Sequence, residues 1–237
     1  MLEIMLFGPT TVVLADGTRL SASELGGAKS RQILEILALT PGMPVAKEQL
    51  AEMLWNGRPP RTYLATVESY VCVLRRTLRM ERGRTSALAT TSRGYLLRAD
   101  QVRVDLVEAR RILRTAAGAP TDVGQVEQAA HAASLPLLIS DHGADWVVAE
   151  RARLERDLVE GCSRAAASAL DRGDAEVAMR LAGTAVRQDP MAEDAVRTLM
   201  LAQGAAGLRA DALRAYATLR DLTLFLAPNV NSYKRFA

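Results

Sequence analysis

Ten arginines lie between residues 58 and 103 (Arg58, Arg61, Arg75, Arg76, Arg79, Arg82, Arg84, Arg93, Arg98 and Arg103), against three acids, Glu68, Glu81 and Asp100. Such a surplus of positive charge suits a polyanion, because each phosphate a cation neutralises releases condensed counterions. The chemistry these residues offer is binding to a duplex.

Nothing of equal weight points to catalysis. Two histidines, His131 and His142, leave few groups for acid–base work near neutral pH. No Ser/His/Asp set, no paired acids and no Cys/His cluster stands out, so no enzyme activity, metal or cofactor is expected. Gly27-Ala28-Lys29-Ser30 imitates the tail of a phosphate-binding loop, but Ala28 and Ser23 stand where that motif requires glycine. Lys29 and Arg31 are instead expected to cap a helix start or to approach DNA.

The charge is unevenly divided. Residues 1–104 carry 14 Lys/Arg and 9 Asp/Glu, whereas residues 105–237 carry 16 and 18, so the basic character belongs to the first part. Cys72 and Cys162 have neither a metal-site spacing nor partners for a disulfide framework, which fits a reducing cytoplasm. The start Met1-Leu2-Glu3-Ile4-Met5 has no cationic region followed by an apolar core, and no apolar run approaches the roughly 20 residues needed to span a bilayer. A cytoplasmic protein of two domains, 1–104 and 105–237, is expected.

The elements that must position the cations follow from pattern. Ile4–Phe7, Thr11–Leu14 and Arg19–Leu20 read as short strands, with Asp16-Gly17 as a two-residue hairpin signal. Ala28 to Leu39 is a helix stopped by Pro41-Gly42, and Lys47 to Trp55 a second. Asn56-Gly57-Arg58-Pro59-Pro60 forbids continuation and makes a tight basic connector. The third helix runs from Tyr63 to Met80 with Thr62 as N-cap. In it Val67, Val71, Leu74 and Leu78 recur at intervals of four, three and four, placing them on one inward stripe. The other side offers Ala65, Ser69, Cys72 and Arg76, with Thr66 and Val73 on one shoulder and Glu68, Arg75 and Arg79 on the other. A narrow face of small residues ending in cations fits a major groove. Ala87–Thr91 and Tyr95–Arg98 then read as two strands about Ser92-Arg93-Gly94, the shape of a wing with an exposed arginine.

From Asp105 the chain reads as helical and alanine-rich, with breaks at Gly118–Pro120, Pro136, Gly143, Gly173, Asp189-Pro190, Gly204–Gly207 and Pro228. Ala178, Ala182, Ala185 and Pro190 carry the offsets of the second helix of a tetratricopeptide repeat, and 34 residues on from the first three stand Ala212, Tyr216 and Leu219. Helical hairpins are expected there, with Trp146 packed between helices.

These residues together resemble the Streptomyces antibiotic regulatory protein (SARP) family. The resemblance rests on Leu6-Phe7-Gly8-Pro9, Gly27-Ala28-Lys29-Ser30-Arg31-Gln32, Leu50-Ala51-Glu52-Met53-Leu54-Trp55, Pro59-Pro60 and Val67-Glu68-Ser69-Tyr70-Val71-Cys72-Val73-Leu74-Arg75-Arg76. It continues through Thr91-Ser92-Arg93-Gly94-Tyr95-Leu96-Leu97, Asp145-Trp146-Val147, Arg151-Ala152-Arg153-Leu154 and Ala212-Leu213-Arg214-Ala215-Tyr216. It implies an α+β winged helix-turn-helix of the OmpR/PhoB type, followed by an all-α, tetratricopeptide-like bacterial transcriptional activator domain. Members bind promoter direct repeats, often as side-by-side dimers, recruit RNA polymerase through sigma and other subunits, and control antibiotic genes.

By position, the resemblance makes the helix from Thr62 the recognition helix. Glu68, Ser69, Cys72 and Val73 then fall at base edges, and Trp55, Thr66, Tyr70, Arg75, Arg76 and Tyr95 at the DNA backbone. Thr91 and Arg93 belong to the wing, and Asn56, Gly57, Arg58 and Arg61 to the loop that meets polymerase. Val73 stands where many relatives carry Arg; an apolar side chain there suits a thymine methyl rather than bidentate bonding to guanine. No receiver domain precedes the winged helix in this sequence, so the phosphoryl control of the sister family is not carried over by the resemblance. Two other readings stay open: a repressor or modulator using the same DNA module, and a helical-repeat scaffold whose winged domain binds protein.

Overall fold

The computed structural model describes residues 1–80, 86–116, 123–141 and 143–233. The polar stretch 82–85 with Arg82 and Arg84, the break expected at Gly118–Pro120, and His142 lie outside the described residues. In chain order the elements are β1 (Leu2–Met5), β2 (Thr11–Val13), β3 (Arg19–Ser21), α1 (Ala28–Ala38), α2 (Lys47–Leu54), α3 (Tyr63–Thr77), β4 (Leu88–Thr91), β5 (Gly94–Leu97) and β6 (Val102–Val104). They continue with α4 (Asp105–Thr115), α5 (Val123–Ala133), α6 (Asp145–Asp171), α7 (Ala175–Gln188), α8 (Glu193–Ala205) and α9 (Arg209–Tyr233), with short 3-10 turns at Ala22–Glu24 and Ile139–Asp141. The winged helix and the helical part expected from sequence are both present.

By its contacts the chain divides into one unit of Met1–Ala109 with Ala133–Ala152, and a second of Arg110–Ala132 with Arg153–Ala237. In the first unit, β1, β2 and β3 pair antiparallel in sequence order, and β6 adds parallel to β1 through Leu2↔Val102 and Ile4↔Val104. The sequence reading missed β6 and set the first strand two residues late. Alternation explains the observed placement: Leu2, Ile4, Val102 and Val104 are all buried, so the parallel pair shares one apolar face. Phe7 instead bridges Leu137, and the Leu138 amide donates to the Leu6 carbonyl at 3.0 Å, so the segment after Pro136 closes the end of β1. The β2–β3 turn is one residue longer than the expected two-residue loop. The Leu14 amide donates to Thr18 across Ala15-Asp16-Gly17, with Gly17 left-handed at φ 85°.

Helices α1, α2 and α3 pack on a core of Ile33, Leu34, Leu37, Leu50, Leu54, Val67, Val71 and Leu74. Helix α3 ends at Thr77, three residues before the expected Met80. Arg79 adopts φ 53°, and the Met80 amide donates back to the Arg75 carbonyl at 2.8 Å, a left-handed helix stop. Thr62 is its N-cap but makes no side-chain capping bond.

The second unit is a run of helices in which α7 packs on α8 and α8 on α9. Ala178, Ala182 and Ala185 are buried, as small residues between close helices should be. The residues 34 further on do not follow: Tyr216 is 50% exposed, because α9 packs chiefly on α8. Helix α9 also runs through Pro228, where a break was expected. Within α6, Gly161 lets Leu113 approach so closely that a Cβ would lie 2.7 Å from the Leu113 carbonyl oxygen. Trp146 is buried in the first unit.

Candidate nucleic-acid interface

Helix α3 turns Val67, Val71 and Leu74 fully inward and leaves Ala65, Glu68, Ser69, Cys72 and Arg76 exposed. Exposed Arg61 and Thr62 just before it and Leu64 in its first turn extend this surface. The Thr66 and Ser69 hydroxyls each donate to a carbonyl four residues back (2.9 Å), which keeps that surface low. Val73 departs from this stripe: it is half-buried, and a Cβ on Gly26 would come within 2.5 Å of its Cγ1. Tyr70 is half-buried as well, and its carbonyl accepts from Ser30 at 3.4 Å.

The wing is the antiparallel pair β4–β5, registered Leu88↔Leu97 to Thr91↔Gly94. Its tip holds exposed Ser92 and Arg93, and Thr91 Oγ1 accepts from the Arg93 amide at 3.1 Å. A third chain segment joins it: Val45 and Tyr95 exchange both backbone bonds, at 2.8 and 3.0 Å. Gly94 makes this approach possible, because a Cβ there would lie 2.0 Å from the Val45 carbonyl oxygen.

Tyr95 is the hub between wing and helix. Its buried ring has Lys47 Nζ and Arg75 Cζ each 5.8 Å from its centroid. Burial pushes its phenol above the ordinary tyrosine range. Arg75 donates to the Leu88 carbonyl and to Thr90 Oγ1, so its guanidinium is engaged with β4. Lys47 forms an ion pair with Glu68, and that hydrogen bond lifts the Lys47 ammonium above its ordinary value.

The structure separates the remaining cations by partner. Arg79 pairs with Asp16 at 2.6 Å, Arg98 with Asp100 at 2.9 Å and Arg103 with Glu3 at 3.8 Å. Arg58, Arg61, Arg76 and Arg93 are exposed, and among the described residues none of the four forms an ion pair. They come from the α2–α3 connector, α3 and the wing turn. Asn56 and Gly57 take left-handed φ of 47° and 75°, which reverses the chain into that connector.

Lys29 and Arg31 are engaged by partners within the fold. Lys29 donates to the Leu54 carbonyl, sits 5.5 Å over Trp55, and is held below the ordinary lysine range by burial. The Arg31 side chain is 12% exposed and pairs with Glu35 at 3.2 Å and Asp141 at 2.9 Å. Glu35 is fully buried, also accepts from Thr10 at 2.5 Å, and is pushed up to about 7 by burial. Sequence reasoning missed Glu35, Asp141 and Lys47: Asp141 and Lys47 act through partners 110 and 21 residues away, and Glu35, although four residues from Arg31, is drawn inward by Thr10, 25 residues before it. Among the described residues no group of His, Cys, Asp and Glu could hold a metal, and no helix is long and apolar enough to cross a membrane.

A winged helix with an arginine-studded outer face, in one chain with helical hairpins, defines a regulator of the winged helix-turn-helix class. Residues 24–97 match the family model "Transcriptional regulatory protein, C terminal", and residues 100–224 match "Bacterial transcriptional activator domain". The chain therefore belongs to the bacterial transcriptional activator domain family, and within it to the SARP-type transcriptional regulators. It is 29% identical to regulatory protein DnrI of Streptomyces peucetius over 117 residues, 47% of this chain and 42% of that protein. It is 28% identical to regulatory protein AfsR of Streptomyces griseus over 214 residues, 83% of this chain and 20% of that protein. The chain thus spans less than half the length of these curated relatives. Among solved structures, Mycobacterium tuberculosis EmbR, in complex with a low-affinity phosphopeptide, matches with TM-score 0.69 and 25% identity, over 96% of this chain and 60% of that one.

Proposed function

We propose that this regulator binds duplex DNA sequence-specifically, with α3 in the major groove and the Arg93 turn in the adjacent minor groove, and activates transcription from promoter direct repeats. The observation that carries the reading is the outer stripe of α3. Ala65, Ser69 and Cys72 are small and exposed, and exposed Arg76 follows one turn on. Small side chains let a helix backbone approach base edges, and flanking cations meet phosphates. Arg58 and Arg61 on the connector are the surface offered to RNA polymerase. Residues 1–104 are the DNA module and 105–237 the activator module that pairs protomers. Binding two repeats together raises the modest specificity of one small module, and repeats about one helical turn apart keep both modules on one face. Genes for secondary metabolites are the proposed targets, consistent with the SARP family, and the cytoplasm is the proposed compartment.

Fluorescence anisotropy on a labelled promoter duplex over a salt series tests the reading. Affinity is expected to fall steeply with log salt, and Arg76→Ala to weaken all duplexes and reduce the slope by about 0.9. Ser69→Ala is expected to change which sequence is preferred. In vitro transcription with purified polymerase then separates activation from repression. Absence of duplex binding at low salt favours the protein-binding scaffold.

A further inference from the structure

We propose that Lys47 is a positioning residue that fixes Glu68 for reading the amino edge of cytosine, so that this ion pair sets the base preference at one position of the bound sequence. The inference rests on the duplex-binding reading above and names a determinant of its specificity.

Glu68 is the one acid in α3, and its side chain is 54% exposed beside Ala65, Ser69 and Cys72. A carboxylate on a face pressed against a polyanion is repelled by phosphate and by the acceptor atoms of guanine and thymine. It is tolerated where an amino group meets it, and cytosine N4 in the major groove is such a donor. Glu68 therefore weakens binding to most sequences and spares a few, which is how a charged group discriminates. Discrimination of this kind needs a carboxylate held in place.

Lys47 supplies the hold. It is the first residue of α2, two positions after Val45, whose backbone is bound to Tyr95 on the wing by two hydrogen bonds. Its ammonium stands 5.8 Å from the centroid of the Tyr95 ring and donates to Glu68 Oε1. The Tyr95 ring is buried and also faces Arg75, so the platform is fixed from the α3 side as well. Among the described residues no other hydrogen bond engages the Glu68 carboxylate, which leaves Oε2 as the acceptor for a base. The wing, α2 and α3 thus converge to aim one carboxylate.

Wild type, Lys47→Met, Glu68→Gln, the double variant and Lys47→Arg are selected against a randomised duplex library at fixed salt, with a melting curve for each. Glu68→Gln is expected to abolish a cytosine preference at one position, and Lys47→Met to reduce it roughly five- to tenfold. The double variant should match Glu68→Gln alone, and Lys47→Arg should restore the preference. A Lys47→Met protein that binds every duplex more weakly with its preference intact, and a salt slope reduced by about 0.9, makes Lys47 a phosphate contact and overturns the proposal. So does an unchanged preference in Glu68→Gln, a surface substitution that keeps the reading testable should Lys47→Met fold poorly. A wild type that binds no duplex at low salt removes the DNA reading itself, an outcome distinct from both.

Discussion

Arg75 grips Leu88: its Nε and Nη2 both donate to the Leu88 carbonyl, at 3.2 and 2.9 Å, while Nη2 also reaches Thr90 Oγ1 at 2.7 Å. The forked guanidinium thus ties the last turn of α3 to the first strand of the wing. Lysine has one ammonium and cannot reproduce the fork. Arg75→Lys is expected to cost about 1–2 kcal/mol of stability, measured by urea unfolding, and to lower duplex affinity with little change in salt slope. Arg76→Ala should instead leave stability unchanged and lower affinity together with the salt slope, since Arg76 is exposed and its side chain braces nothing among the described residues.

Gly94 is a backbone requirement rather than a spacer. Its φ is 127°, and a Cβ there would overlap the Val45 carbonyl oxygen at 2.0 Å. Gly94→Ala must part the wing from the Val45–Ala46 segment just before α2, and is expected to destabilise by about 3 kcal/mol or more. Gly17 provides the control: its φ is 85°, but nothing lies within 4 Å. Gly17→Ala carries the conformational cost alone, about 1 kcal/mol. Thermal melting of the two variants checks the order.

The regular elements were legible where a local period decides them. The inward stripe Val67, Val71, Leu74 and Leu78 is buried as its spacing requires, and the Gly94 region reads as a wing because turn residues separate two apolar runs. What stayed hidden is non-local. Strand β6 is three residues long and finds its place only through a parallel partner about a hundred residues earlier. Val73 looked outward by helical phase, yet Gly26, from a loop preceding α1, leaves room for it to pack. Arg31 looked like a cation near a helix start, but two acids, one from 110 residues away, draw it inward. The exposed stripe was therefore readable, and the network that aims Lys47 at Glu68 was not.

Glu35 makes stability fall as pH rises. Burial first, with the Asp141 carboxylate nearby, raises its pKa from about 4.5 to about 7, against the opposing pull of Thr10 and Arg31. The folded state therefore holds a proton that the unfolded chain releases, so the contribution is complete below the ordinary glutamate value and lost through the folded one. The expected loss between pH 4.5 and 7 is of the order of 3 kcal/mol. Asp141 acts in another window: burial pushes it up, but hydrogen bonds from Arg31 and Gln32 outweigh this and hold it below its ordinary 3.8. Its contribution is present above that value and lost only in stronger acid. Urea unfolding across pH 5 to 8 should show the decline, and Glu35→Gln should flatten it.

Asp105 joins strand to helix through its carboxylate. Its oxygens accept from the Leu6 amide at 2.9 and 3.0 Å, from Phe7 at 3.2 Å and from its own neighbour Leu106 at 2.7 Å. Leu6 is fully buried just past the end of β1, so water cannot replace these bonds easily. Asp105→Ala leaves three donors to find new partners and is expected to cost about 2–4 kcal/mol. Asp105→Asn keeps one acceptor oxygen and sheds a charge that burial disfavours, as the raised Asp105 pKa shows. It should therefore lose less than the alanine variant. Urea unfolding of both proteins at neutral pH, with hydrogen exchange at the Leu6 amide, distinguishes a carboxylate that binds this strand end from one that merely fills space: in the second case the two substitutions would cost the same.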